Sequence, residues 1–535
     1  MNEPSDSRRI GDINLAVALA IVLFIAGIVR FLPIGGSVYP INDGGLFAHM
    51  ASDLARSGFL LPSTTTYNGE AIPFAYPPLA IYLTAGISRV LGADPITVLR
   101  LLPALLSTAS VLGLYLVAAE LLRSRWRGVV AAGAFAVMPH SYLWLVGGGG
   151  VTRSLGLLLS LLALQQGVRM LRTHRAFHVA TTGVLGGLTL LSHPQAALFL
   201  AASLLLLVGF HVYLGRRATI ARNLVMAGAV GLLVATPWLI AVVSTHGLAP
   251  LLSAGSTSLD PVTGLSQLLG LRFADATVLD LMTALGVLGV VVRIARGQWM
   301  IPLWLVITML VDPRAGSTFA AVPLALSVVP ILGELLQRTV VTRGGTASLE
   351  AETLPSLMRR HRAATVILAL LLFVTLRTAA RTAVDPASPL HGLTSEHVAA
   401  MRWISVNAEQ GTQFAVVTGR SWEADYLSEW FPVLAGRTSA ATVQGSEWRG
   451  LPTFLDRLAS YRQLQKCADK TATCIEEWSR GWDAPSTLVF LPKGRLFGPI
   501  SSPDCCPALR ETLGMSDRWV RVYDGPGATI FKPVQ

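Results

Sequence analysis

Near its N-terminus the chain reads "LAVALAIVLFIAGIVRFLPIGGSVYPINDGGLFAHMA" (residues 15–51). It begins as an apolar run long enough to cross about 30 Å of hydrocarbon as a helix, which takes roughly 20 residues. It ends in an acid, Asp43, two glycines and an amphipathic run, "GLFAHMASDLARSG" (45–58). A carboxylate directly after a span, at the lip of a bilayer, is costly unless it has a partner or a task.

Composition extends this pattern to the rest of the chain. Of 535 residues 52% are apolar and 14% charged, the profile of a polytopic membrane protein. Apolar runs at 14–33, 97–121, 128–146, 153–171, 177–192, 195–214, 223–244, 277–295, 299–311, 318–336 and 363–382 give eleven expected spans. The run "YPPLAIYLTAGISRVLG" (76–92) holds only about 22 Å of apolar helix and is expected to lie at the interface. With the N-terminus in the cytoplasm, the inner loops are "RSRWR" (123–127), "RTHR" (172–175), "GRRATIAR" (215–222), "RIARG" (293–297) and 338–362. All are rich in arginine, as inner loops are. This orientation puts the C-terminus outside the cytoplasm.

The first run is too long for a signal-peptide core and lacks a small-residue cleavage site, so it is expected to be retained. The excess of 42 Lys and Arg over 31 Asp and Glu matches anionic lipid at the inner surface. Membrane lipids are therefore expected partners and nucleic acid is not.

After residue 383 the pattern changes. Strand-like "QFAVVTG" (413–419), "STLVFLP" (486–492) and "WVRVYDGPGATIFKP" (519–533) alternate with helical "SEHVAAMRWISVNA" (395–408) and "TFLDRLASYRQLQKC" (453–467). The expected organisation is a mainly α polytopic membrane part, 1–382, whose first outer loop (35–96) carries amphipathic and interfacial helices, followed by a soluble extracytoplasmic α/β domain, 383–535. All four cysteines, Cys467, Cys474, Cys505 and Cys506, fall in that domain, which suits an oxidising compartment with one or two disulfides. Cys505 and Cys506 are not expected to pair with each other, because neighbouring Cα atoms are only about 3.8 Å apart.

A first span, an outer-loop acid, an amphipathic helix, a "YPPL" interfacial helix (76–79), a multispan body and a tail with "MRWISVN" (401–407), "EWFPVLAGR" (429–437) and "QGSEW" (444–448) together resemble the GT-C superfamily of integral membrane glycosyltransferases. Its members include protein O-mannosyltransferases, lipid A aminoarabinose transferases and oligosaccharyltransferases. The resemblance implies transfer of a sugar from a polyprenyl-phosphate donor to a glycan, lipid or protein acceptor on the outer side. It also implies that Asp43, the position matching the family's first outer-loop acid, is the general base. A carboxylate that takes the acceptor's proton during attack contributes roughly 10² to 10⁴ in rate, and Gly44 and Gly45 leave room beside it. The alternative is that Asp43 caps the amphipathic helix, as Asp does well.

A departing phosphate gains charge and is stabilised by cations or backbone N–H groups. On this topology the outer candidates are Arg153 and Thr152 in "GGGGVTRS" (147–154), His193 in "LSHPQ" (191–195) and Arg314 in "VDPRAGS" (311–317). The glycines before Arg153 present N–H groups at a helix start that suits anions, or else form only a flexible turn. Arg153 and Arg314 also fit a role in snorkelling to lipid headgroups. Tyr76, Glu70, Trp422, Glu447 and Trp448 are candidates for sugar or acceptor binding, with core packing the alternative fate of the tryptophans.

In the oligosaccharyltransferase branch, acids of the first and second outer loops hold a divalent cation. The loop "VGGGGVTRS" (146–154) has no acid, so no cofactor is expected. A magnesium or manganese site using Asp260, Asp275 or Asp312 is the alternative. The long loop 244–275 is either a lid or a plain connector. A transporter or flippase of lipid-linked sugars is the rival class, but no internal repeat is visible and the polar residues cluster at the outer ends of the spans rather than mid-membrane.

Overall fold

Each of the eleven apolar runs is helical over all or most of its length in the computed structural model, which describes residues 3–212, 217–256, 261–270, 279–341, 362–384, 390–482, 484, 487–494 and 504–534. In chain order, α1 (Glu3–Gly35) is followed in the first loop by α2 (Gly45–Arg56), the antiparallel pair β1 (Thr64–Thr65) and β2 (Ile72–Pro73), and α3 (Leu79–Leu91). The body consists of α4 (Pro95–Leu121), α5 (Arg125–Val137), α6 (Gly150–Thr173), α7 (Ala176–Ser192), α8 (Pro194–Val212), α9 (Arg217–His246), α10 (Ala249–Ser256), α11 (Pro261–Leu269), α12 (Leu281–Ala295), α13 (Met300–Val311), α14 (Gly316–Val341) and α15 (Arg362–Val384). Among the described residues, α1, α4, α6, α9 and α15 each contain a stretch long and apolar enough to cross a membrane. The chain is thus a multi-pass membrane protein. The other six expected spans fall on helices that do not meet that criterion over their described residues.

Local chemistry sets several boundaries. Asp94 caps α4 by accepting from Ile96 N–H at 2.8 Å, with Pro95 at the first helical position. Asp280 does the same for α12 through Met282 and Thr283. The run expected to span 128–146 stops being α-helical at Val137, because Pro139 has no N–H to extend the ladder. The fully buried Arg30 of α1 takes up the end of that helix. Its Nη1 donates to Ala136 O at 2.8 Å, its Nη2 to Ser141 Oγ at 3.0 Å and its Nε to Ser107 Oγ at 2.9 Å. Its guanidinium carbon lies 5.6 Å from the centroid of the Tyr142 ring. A helix end inside an apolar body needs such donors, since no water reaches its carbonyls. The loop 244–275 contains α10 and α11 where a connector was one expectation, although Asp260 and Asp275 lie outside the described residues.

Residues 390–534 form an α/β unit. Its mixed sheet has the order β4 (Thr438–Ser439), β3 (Gln413–Val416), β5 (Leu488–Pro492), β7 (Ala528–Pro533), β6 (Trp519–Asp524). β3 runs parallel to β4 and β5, and β7 is antiparallel to both its neighbours. The helices are α16 (Ser395–Asn407), α17 (Tyr426–Ala435), α18 (Leu451–Gln465), α19 (Ala472–Gly481) and α20 (Pro507–Met515). Cys467 pairs with Cys474 across a Cα separation of 5.6 Å. Cys505 pairs with Cys506, against expectation. Their Cα atoms are 3.8 Å apart, below the usual disulfide range, and Cys506 has a left-handed φ of 60°.

The α/β unit shares its core with the first outer loop and the membrane body. Ala48, Ala80, Leu99, Val151 and Leu155 pack into one apolar cluster with Phe414, Trp430, Phe431 and Phe490. The loop is further fastened by Asn68, whose side chain donates to Ser439 O and accepts from Ser439 N. Glu70 pairs with both Arg449 and Arg457.

Candidate active site

Asp43 sits where three pieces of backbone meet. Before it, Asn42 N donates to His391 O at 2.7 Å and Gly148 N to Ile41 O at 2.9 Å. On its other side Trp430 Nε1 donates to Asn42 O at 2.9 Å. The glycine run is packed against the acid and is no loose turn. A Cβ on Gly149 would lie 2.5 Å from Asp43 Oδ2, and one on Gly44 would lie 2.9 Å from Gly148. Gly44 also has a φ of 129°, which side chains resist. The space that Gly44 and Gly45 leave is therefore filled by the protein's own backbone, Gly148 and Glu429.

Asp43 does not cap α2. The N-cap is Gly44, and the acceptor for its end is Glu429 of α17, whose Oε1 takes the N–H of Gly44 at 2.9 Å and of Leu46 at 3.3 Å. The helix start at Gly149–Gly150 does hold an anion, but the anion is Asp43. Gly149 N donates to Asp43 Oδ1 at 3.0 Å, while Gly150 and Val151 N–H are used by Gly147 and Gly148 O. Asp43 Oδ2 faces Arg153 Nη2 at 3.8 Å, beyond hydrogen-bond range.

Around this pair runs a polar chain. Tyr76 Oη lies 3.0 Å from Thr152 Oγ1 and 3.0 Å from His193 Nδ1, His193 Nε2 lies 2.9 Å from Gln195 Oε1, and Gln195 Nε2 donates to Asp312 Oδ1 at 3.2 Å. Burial, then the positive charge of Arg153, pushes the His193 imidazole down to about 3, so the ring is neutral. Both of its nitrogens lie at hydrogen-bond distance from a neighbour, Tyr76 Oη and Gln195 Oε1. Burial pushes the Tyr76 phenol up to about 12 and the Asp312 carboxyl up to about 6. Arg314 lies over the Trp422 ring, 5.2 Å from its centroid. Its charge, like that of Arg153, acts on both Tyr76 and His193.

The structure therefore brings Asp43, Tyr76, Thr152, Arg153, His193 and Arg314 into one neighbourhood. Trp448 joins it, edge-on to Tyr76 at 5.5 Å. Glu447 is held above its ordinary value by burial and is influenced by Arg314. Glu70 stands apart from these groups, neutralised by its two arginines. Gln195 and Glu429 were not anticipated. Gln195 was visible only as the residue after His193-Pro194, and Glu429 lies 385 positions from Gly44, with no local signal of that contact.

The donor set does not fit a divalent cation. Among the described residues no three His, Cys, Asp or Glu converge. Asp43 faces a guanidinium, and burial, then the charge of Asp43, raises the Glu429 carboxyl above its ordinary value. A cleft of about 410 Å³, bordered by Arg449, Arg457, Trp478 and Trp482, shares no lining residue with this cluster.

Residues 75–240 match the family model of dolichyl-phosphate-mannose-protein mannosyltransferases. The fold is similar to that of the oligosaccharyltransferase AglB of Archaeoglobus fulgidus (TM-score 0.59, 14% identity, 89% of this chain and 69% of that one). It is also similar to ArnT of Cupriavidus metallidurans (0.51, 13%, 96% and 97%) and to the arabinofuranosyltransferase AftD from Mycobacteria (0.50, 17%, 97% and 40%). No curated protein sequence matches the chain. The chain therefore resembles a mannosyltransferase family over residues 75–240 and shares its fold with AglB and ArnT.

Proposed function

We propose that the protein transfers a sugar from a polyprenyl-phosphate donor to an acceptor hydroxyl or amine at the extracytoplasmic surface, where the α/β unit lies. The acceptor attacks the anomeric carbon, the bond from that carbon to the phosphate oxygen breaks, and polyprenyl phosphate leaves with the electron pair. Asp43 takes the acceptor's proton. Arg153 and Arg314 hold the phosphate and offset the charge it gains. Tyr76 and Trp448 border the sugar. The observation carrying this reading is the Asp43 carboxylate, held by Gly149 and facing Arg153 at 3.8 Å, which sets a base beside a phosphate-binding cation.

The structure of AglB with a dolichol-phosphate and an inhibitory peptide supports a lipid phosphate as leaving group. A related AglB structure contains Zn and sulfate, but the acids around Asp43 in this chain do not form a comparable ligand set, and no step is routed through a metal.

Purified protein in polyprenyl-phosphate-containing vesicles is expected to move radiolabelled sugar from the lipid to an acceptor. Replacing Arg153 or Arg314 with Ala is expected to weaken polyprenyl-phosphate binding by about tenfold or more, the scale of a charged hydrogen bond. Lipid-linked sugar that crosses the vesicle membrane with no bond to an acceptor would replace the transferase with a flippase.

A further inference from the structure

We infer that Glu429, in the α/β unit, is the positioning residue that fixes Asp43 for proton removal, so that the unit completes the active site. This rests on Asp43 being the base. Glu429 is 4% exposed and sends one carboxyl oxygen to the N–H of Gly44 and of Leu46. Its own backbone carbonyl accepts from Tyr67 Oη at 2.6 Å. The next residue, Trp430, is fully buried and donates to Asn42 O. The peptides on both sides of Asp43 are thus tied to two consecutive residues of α17, while Gly149 holds the carboxylate from the opposite side.

Gly44 makes this support necessary. Its φ of 129° gives the chain no preference that would hold Asp43 in place, and the first N–H groups of α2 have no other side-chain cap. Without Glu429 the Asp43–Gly44 peptide keeps only the bond its carbonyl accepts from Gly149 N at 3.2 Å, and the carboxylate shifts from its place between Gly149 and Arg153. Displacement of a catalytic group by about 1 Å can cost on the order of 10² in rate. Glu429 acts here as an acceptor through one carboxyl oxygen, so the acceptor oxygen of a glutamine is an adequate replacement.

The test uses the full-length membrane protein with three changes at this position and Asp43→Asn measured beside them. Glu429→Ala and Glu429→Asp are expected to lower kcat by about tenfold or more, with the donor KM and polyprenyl-phosphate binding within about twofold of wild type. Glu429→Gln is expected to restore kcat to within about threefold. If the Ala variant does not fold, the Gln variant, which keeps the packing volume, and the Asp variant, which keeps the carboxyl group one methylene short, decide the matter. Full kcat in the Asp variant, or a loss confined to donor KM, would overturn the positioning role while leaving an inactive Asp43→Asn intact. An active Asp43→Asn would remove the base, and this proposal with it.

Discussion

Asp43→Asn is expected to lower sugar transfer by about 10² or more while folding and polyprenyl-phosphate binding persist. Asn keeps the size of the side chain and its oxygen still accepts from Gly149 N, so the local frame survives. What disappears is the group that takes the acceptor's proton. Helix capping cannot confuse the result, because Gly44 is the N-cap of α2 and Glu429 supplies its acceptor. Turnover, thermal stability and lipid-phosphate binding of one preparation separate the possibilities. Near wild-type turnover would leave Asp43 as a structural anchor for the glycine turn. A fall in stability with turnover intact would say the same.

Gly149→Ala is expected to have an effect of similar size for a different reason. Gly149 has φ −69° and ψ −15°, a helical conformation that alanine accepts readily. Only the added methyl group matters, and it would fall 2.5 Å from Asp43 Oδ2 and 2.6 Å from Cγ. Either the carboxylate or the start of α6 has to move, and a shift of about 1 Å is enough to cost on the order of 10² in kcat. Gly149 is the N-cap of α6 and makes no side-chain capping bond for the substitution to remove; alanine is a poorer N-cap than glycine, so a small loss of stability is expected beside the loss of kcat. The expected outcome is a folded protein with low kcat. A Gly149→Ala protein with full activity would show that the carboxylate need not sit against Gly149.

Much of this site was legible in the sequence. Asp43, Arg153 and Arg314 stood out because charges beside apolar runs are rare, and the spacing of those runs put them together at one end. After residue 390, α16, α18, β3 and β5 follow from period and turn residues, whereas the run 519–533 divides into β6 and β7, and α17, α19, α20 and β4 were not read from the sequence. Other features depended on contacts remote in sequence. The glycine run could be an anion site or a loose turn by composition alone. It is instead the packing surface for Asp43, because that carboxylate occupies the helix start. His193 is polar and well placed, and Tyr76 Oη and Gln195 Oε1 lie at hydrogen-bond distance from its two nitrogens. Glu429 lay in a stretch notable for its tryptophan, and only the folded chain brings it to Gly44. The early end of α5 was partly legible in Pro139, but its stabilisation by Arg30 was not.

The most direct single measurement is a cryo-EM or crystal structure with polyprenyl phosphate bound. The expected density places the phosphate between the guanidinium groups of Arg153 and Arg314, with the attached carbon chain leaving toward the membrane and Asp43 open to the same space. A phosphate bound elsewhere, such as in the cleft bordered by Arg449 and Arg457, with Asp43 still closed against Arg153, would contradict the assignment of this cluster as the catalytic centre.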